Sequence, residues 1–151
     1  DGVNGTLKKE GNSFYFLSDA SKPIAEKIVF KFKDSEQNKG AIVIIWAGRN
    51  DGGNLPTFEN IKAMTKNNNA YVLSVCNGVD EGFGTQSHTI ITELNSQLKE
   101  FYGERFIDVR EFLVNGSEND CIPANLFSDT VHFNAEGYRL VGEYVAEKIK
   151  K

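Results

Sequence analysis

An aspartate and a histidine lie three residues apart near the end of the chain, at Asp129 and His132. They precede residues 135–150, whose apolar side chains recur on one face of a predicted helix. A histidine whose Nδ1–H is held by a carboxylate presents Nε2 as a base at neutral pH. The spacing therefore predicts an acid-supported general base, although the same pattern also occurs as a simple hydrogen bond at a helix start.

A loop rich in glycine and asparagine follows the first long apolar run of the chain. Gly48 and Asn50 lie in this loop, directly after residues 41–46. An asparagine NH2 group and backbone N–H groups can donate to the oxyanion of acyl transfer, a contribution of roughly 3–4 kcal/mol in enzymes that use it. Taken alone, the loop also fits an ordinary turn. Together with Asp129 and His132 it predicts part of an acyl-transfer site.

The second histidine and the two cysteines carry no comparable pattern. His88 begins a predicted helix and has only Asp80 and Glu81 as nearby acids, so we expect it to face solvent or cap that helix. Cys76 and Cys121 lack the spacing of a zinc site. We expect two buried or incidental thiols, with a disulfide left open, and neither a metal nor a cofactor.

Strands and helices alternate from residue 41 onward and must position these residues. The run at residues 41–46 is continuously apolar, which is typical of a parallel strand buried on both faces. Further strands are predicted at 71–75 and 105–109, and helices at 57–66, 87–102, 110–114 and 135–150. This order predicts an α/β fold with a parallel sheet, whose ligands collect at the carboxyl ends of the strands.

The first 40 residues follow a different pattern. Short strand-like runs at 13–17 and 27–32 flank turn residues at 18–23, which predicts a β-hairpin. We expect a single domain over residues 1–151, in which 1–40 form a hairpin insertion and 41–151 form the α/β core.

These motifs, in this order, resemble a known family of hydrolases. A strand followed by Gly48-x-Asn50-Asp51, and then Asp129-x-x-His132 before the last helix, is similar to blocks III and V of the SGNH (GDSL-type) serine esterases. The resemblance covers about residue 41 to the end. Its flanking sequence is also similar to SGNH domains of bacterial and bacteriophage surface or tail proteins.

The resemblance implies a flavodoxin-like three-layer α/β/α fold and the hydrolysis of an ester or acylated carbohydrate. It implies that Asp129 is the triad acid, that His132 is the base, and that Asn50 and Gly48 bind the oxyanion. It also favours an extracellular location, or one on a phage or cell surface.

One block of the family is missing from this chain. The sequence contains no Gly-Asp-Ser, so the nucleophile is unknown. Ser18 is followed by Asp19 and Ala20, which puts alanine at the nucleophile's place, and Ser128 adjoins the predicted acid in sequence. We therefore expect a C-terminal part of an SGNH domain that is completed by an N-terminal segment of the same protein or by another polypeptide.

Composition limits the alternatives. The chain has 151 residues, is 40% apolar, and carries a net charge of −4 without a basic tract, so nucleic acid is not an expected partner. No apolar run approaches the roughly 18 residues of a membrane span.

Three other classes stay open at this point. They are an inactive SGNH-like module that binds carbohydrate, a flavodoxin-like binding or signalling domain, and a structural part of a larger surface or tail protein. The second would need a phosphate loop rich in serine and threonine after its first strand, which the sequence lacks.

Overall fold

The computed structural model describes residues 5–11, 13–19, 41–51, 56–65 and 69–149. The chain divides into two compact units, residues 1–40 and residues 41–151. The second unit contains every residue predicted for the site.

The first unit contains an antiparallel hairpin formed by β1 (Gly5–Glu10) and β2 (Ser13–Ser18). Strand β2 covers the predicted strand at 13–17, whereas its predicted partner at 27–32 lies outside the described residues. Glycine followed by asparagine at 11–12 is a two-residue hairpin signal, and Gly11 has the positive φ of 59° that such turns use. The sequence interpretation overlooked this short-range turn.

The second unit is an α/β domain with a parallel sheet, as predicted. Its described strands are β3 (Ile44–Ile45), β4 (Tyr71–Leu73) and β5 (Phe106–Ile107), paired in the order β3-β4-β5. The helices are α1 (Pro56–Thr65), α2 (Gln86–Tyr102), α3 (Val109–Val114) and α4 (Ala135–Ile149). Each strand is shorter than its apolar run. Among these helices, none has both the length and the apolar character needed to cross a bilayer.

The sheet has a hydrophobic core on each face. Val72 and Leu73 are adjacent in β4 and point to opposite sides, as successive strand residues do. Val72 joins the core formed with α1 and α2, whereas Leu73 joins the core formed with α3 and α4. The two cores make helix, sheet and helix layers.

Two large apolar side chains of these helices are about half exposed. Met64 in α1 is 52% exposed because the buried face follows Thr57, Ile61 and Thr65 at intervals of four residues. Phe101 in α2 is 48% exposed, and the next residue is buried in its place.

Strand β3 is also less buried than predicted. Ile42, Ile44 and Trp46 are 61%, 43% and 39% exposed, whereas Ile45 and Ala47 pack against the core of α1 and α2. The prediction of burial on both faces is therefore wrong for this run. An apolar run indicates a strand but does not say how many neighbours cover it.

A buried asparagine joins α2 to the end of β4. Asn95 Oδ1 accepts a hydrogen bond from Val75 N at 2.7 Å, and its Nδ2 donates to Val75 O at 2.8 Å. Both backbone groups of Val75 are thus satisfied by one side chain, next to the sheet edge where the predicted site lies.

We predict that Asn95→Ala lowers the free energy of unfolding by about 2–4 kcal/mol, because two buried backbone groups lose their partners. Urea denaturation followed by circular dichroism measures this loss. The exposed Gln97 on the same helix provides the control, since Gln97→Ala should change stability by less than about 0.5 kcal/mol. Equal losses in the two variants would contradict the role of Asn95.

Candidate active site

Asp129 and His132 form a hydrogen-bonded pair on one loop. Asp129 Oδ2 lies 2.8 Å from His132 Nδ1. The other carboxylate oxygen, Oδ1, accepts hydrogen bonds from the backbone N–H groups of Val131 and His132, both at 2.7 Å. The turn is closed by Ser128 N, which donates to His132 O at 2.8 Å. Backbone groups of the same loop therefore orient the Asp129 carboxylate independently of its contact with the imidazole ring.

These contacts keep the acid ionised. The backbone N–H groups of His132 and Val131, followed by the His132 ring, lower the pKa of Asp129 to about 2. The Asp129 and His132 side chains are 55% and 69% exposed. The ionised Asp129 carboxylate thus lies beside the His132 imidazole, and the imidazole is accessible to another molecule or chain segment.

The helix that follows begins as predicted. Asn134 caps α4 through its Oδ1, which accepts from Gly137 N at 3.0 Å. The Phe133 and Tyr138 rings meet edge to face at 5.8 Å, as a hydrophobic staple requires. This packing fixes the direction in which the chain leaves His132.

No nucleophile contacts the base within the described residues. No serine, threonine or cysteine there hydrogen bonds to His132 Nε2, and Ser128 Oγ donates to the His132 carbonyl oxygen instead. Cys76 lies nearby, but burial raises the pKa of its thiol to about 12, so the sulfur stays protonated. The described part of the chain supplies the acid and the base without an activated nucleophile.

Asn50 lies in the loop after β3, in a short 3₁₀ turn over Arg49–Asp51. Its side chain is exposed and makes no hydrogen bond within the described residues. Gly48 precedes it with a φ of 114°, which favours glycine, and a Cβ there would lie 3.0 Å from a Val75 methyl and 3.2 Å from a Thr57 methyl. Gly48 therefore lets the loop turn closely over the end of β4.

Asn50 and His132 line the same cavity of about 200 Å³. The end of β3, the end of β4 and the loop of the acid–base pair all contribute to it. Its lining consists of Trp46, Ala47, Arg49, Asn50, Val75, Cys76, Val131, His132, Phe133 and Tyr138. Gly48 and Asp129 are not among the lining residues, although each adjoins or contacts a residue that is.

Aromatic rings form one wall of this cavity, and the sequence interpretation did not assign them to the site. Trp46 stacks on Phe133 with ring centroids 6.0 Å apart, and its Nε1 donates to Ser74 O at 3.1 Å. Tyr138, in the first turn of α4, is 51% exposed. The sequence signal for this aromatic wall is that Trp46 lies two residues before Gly48 in the chain.

The prediction that His88 faces solvent without an acid partner is wrong. Its Nε2 lies 2.6 Å from Asp120 Oδ2, and its side chain is only 12% exposed. The buried Arg110 also donates to Asp120, and its Nε donates to Asn77 Oδ1 at 3.0 Å. Burial alone would raise the pKa of Asp120, but Arg110 and His88 lower it.

This second histidine–acid pair links the first turn of α2 to the loop that contains Asp120. Neither residue lines the cavity that Asn50 and His132 share. The expectation that His88 caps the helix is also wrong, because Thr85 is the N-cap and its Oγ1 accepts a hydrogen bond from His88 N. Cys76 and Cys121 are both free thiols, so the disulfide left open by the sequence is not formed.

A larger cavity of about 730 Å³ lies elsewhere, near Tyr71 and Phe106 at the starts of β4 and β5. None of the predicted site residues lines it. Parallel sheets bind ligands at the carboxyl ends of their strands, whereas this larger cavity lies at the amino ends. We therefore assign the site to the smaller cavity. Among the described side chains, no group of three or more His, Cys, Asp or Glu could hold a metal ion.

We predict that NMR titration of the Asp129 carboxyl carbon gives a pKa near 2, and that the pKa stays below 3.8 in His132→Ala. The two backbone donors are the leading causes and survive that substitution. The ionised group therefore contributes stability above pH 3.8, which is lost as the pH falls toward 2. Asp129→Asn should remove that part of the acid dependence of Tm. A wild-type pKa near 3.8 would contradict the loop geometry.

Comparison with known proteins supports the fold. No family model and no curated protein sequence matches the chain. A GDSL-like lipase from Bacteroides thetaiotaomicron is similar in structure, with a TM-score of 0.61, 23% identity, and coverage of 73% of this chain and 62% of the lipase. A Streptococcus pneumoniae protein provisionally named as a platelet activating factor gives a TM-score of 0.53, 17% identity, and coverage of 72% and 60%.

The chain therefore spans less than two thirds of either structure. At these identities the similarity concerns the path of the chain and not its chemistry. It confirms the predicted fold: the described part of residues 41–151 forms a parallel sheet between helices, as in the GDSL-like lipase.

Proposed function

We propose that this chain supplies the acid, the base and an oxyanion donor of a serine esterase of the SGNH type. The observation that carries the proposal is that His132, held by Asp129, opens on the same cavity as Asn50. The structural similarity to a GDSL-like lipase supports assignment to the hydrolases. The substrate class is a small ester or an O-acyl group on a carbohydrate.

In the proposed reaction, a serine hydroxyl attacks the ester carbonyl while His132 Nε2 takes its proton. The same nitrogen then returns the proton to the departing alcohol, which leaves an acyl-enzyme that water hydrolyses by the same route. Asp129 holds Nδ1–H and stabilises the imidazolium that forms. The Asn50 NH2 group would donate to the oxyanion of the tetrahedral intermediate. Gly48, expected from the resemblance to bind the oxyanion as well, does not line the cavity and would shape the loop that presents Asn50.

The serine would come from a complementary segment that pairs with the outer edge of β3. In the described sheet β3 is an edge strand, and Ile42 and Ile44 leave an apolar face open beside it. The carboxyl end of a parallel strand added there would lie next to the carboxyl end of β3, and thus beside Asn50. Its apolar side chains would cover Ile42 and Ile44.

The size of the cavity favours a short acyl group. At about 200 Å³ it is smaller than the roughly 300–1,000 Å³ of drug-sized ligand sites. The alcohol portion of the ester would then lie outside, against the exposed rings of Trp46 and Tyr138. An extracellular or surface location is part of this proposal and rests on the resemblance to surface and tail domains.

A second candidate function is an inactive SGNH-like module that binds carbohydrate or has a structural role. The exposed Trp46 and Tyr138 rings favour it, because exposed aromatic side chains offer apolar faces with a polar edge. Saccharide binding without turnover, even after the complementary segment has been restored, would identify this function.

We predict that residues 1–151 alone show no turnover of p-nitrophenyl acetate above the uncatalysed rate, because no hydroxyl of the described residues contacts His132 Nε2. A spectrophotometric assay at neutral pH, with His132→Ala as the matched control, measures this. Hydrolysis by the chain that disappears in His132→Ala would reveal an overlooked nucleophile and contradict the proposed division of the site.

We further predict that a longer polypeptide that includes the complementary segment hydrolyses the same ester. In it, His132→Ala should lower kcat about 10⁴-fold, and Asn50→Ala about 10²–10³-fold. Ser96→Ala, on the exposed side of α2, is the control and should leave kcat unchanged. Full activity in His132→Ala would exclude this site as the catalytic one.

A further inference from the structure

An ion pair joins the loop that carries Asn50 to the loop that follows β4. Arg49, next to Asn50, extends Nη2 to the carboxylate of Glu81 in the loop after β4, at 3.0 Å. Their side chains are 30% and 24% exposed, so solvent ions screen the pair less than they screen a surface pair. The β3 loop and the β4 loop are thereby linked through side chains.

Glu81 is itself held in place. Its Oε2 accepts a hydrogen bond from Gly78 N at 2.6 Å. Burial alone would raise the pKa of Glu81, but the Gly78 N–H and the Arg49 guanidinium outweigh it, and the pKa lies below its usual value. Arg49 and Glu81 are therefore both charged at neutral pH. Glu81 is also anchored to the backbone of the β4 loop through Gly78 N.

The β4 loop is in turn bonded to the loop of the acid–base pair. Val79 N donates to Thr130 O at 2.9 Å, and Thr130 lies between Asp129 and His132 in the chain. A side chain at Gly78 would collide with the Thr130 carbonyl oxygen and crowd Arg49. The contacts thus run from Arg49 through Glu81 and the β4 loop to the loop of His132.

We propose that Arg49 and Glu81 act as a positioning clamp that holds the Asn50 loop in register with the His132 loop. The catalytic meaning of this clamp rests on the proposed function, but its effect on the two loops does not require turnover. Arg49 lines the cavity without being needed for the proton transfers. It is a positioning residue that acts through Glu81.

NMR spectroscopy of the chain tests the clamp directly. We expect Arg49→Gln and Glu81→Gln each to shift or broaden both the Asn50 side-chain amide and the His132 ring resonances by several line widths. The double variant should resemble the single variants, because one interaction has been removed in all three. Arg49→Lys keeps the charge and should retain most of the wild-type resonances.

Arg139→Gln is the matched control. Arg139 pairs with Glu136 and Glu143 on the surface of α4, so its loss should leave the Asn50 and His132 resonances unchanged. The fluorescence of Trp46, the single tryptophan, reports whether the cavity wall survives in each variant.

The proposal is wrong if Arg49→Gln leaves the Asn50 and His132 resonances in place, or if the effects of the two single variants add in the double variant. Unfolding of both Arg49→Gln and Glu81→Gln would also overturn it, because the pair would then be a determinant of stability and not of loop position. Since no outcome depends on hydrolysis, failure of the clamp and failure of the esterase assignment are distinguishable.

Discussion

The parallel alignment of β3 with β4 determines where the residues of the candidate site lie. Two residue pairs carry it, Ile44 with Tyr71 and Ile45 with Val72, and Tyr71 N donates to Val43 O just before them. Because both strands run in one direction, the Asn50 loop and the end of β4 open on the same cavity. A pairing this short depends on support from both layers of helices, including the hydrogen bonds between Asn95 and Val75.

The acid–base pair does not depend on a nucleophile for its geometry. Asp129 is held by backbone donors of its own loop, and the helix after His132 is capped and stapled by its own residues. The Asn50 loop is held instead by contacts between loops, among them the Arg49–Glu81 ion pair. The two parts of the candidate site are therefore positioned by different contacts.

Local patterns in the sequence were sufficient for much of this structure. The helical periods predicted α2 and α4 within a residue or two, and the spacing of Asp129 and His132 predicted their contact. Long-range contacts were not accessible: His88 meets Asp120 across 32 positions. Burial of Ile42 and Ile44 was overestimated, because the composition of a strand does not reveal whether it lies at the edge of its sheet.

The central claim is that the serine lies outside residues 1–151 and is activated by His132. The most direct measurement is mass-spectrometric mapping of a fluorophosphonate label on the longer polypeptide, compared with its His132→Ala variant and with this chain alone. We expect one labelled serine, outside this chain, and a labelling rate that falls steeply in the variant. A label on a serine within residues 1–151, or a labelling rate independent of His132, would contradict this claim.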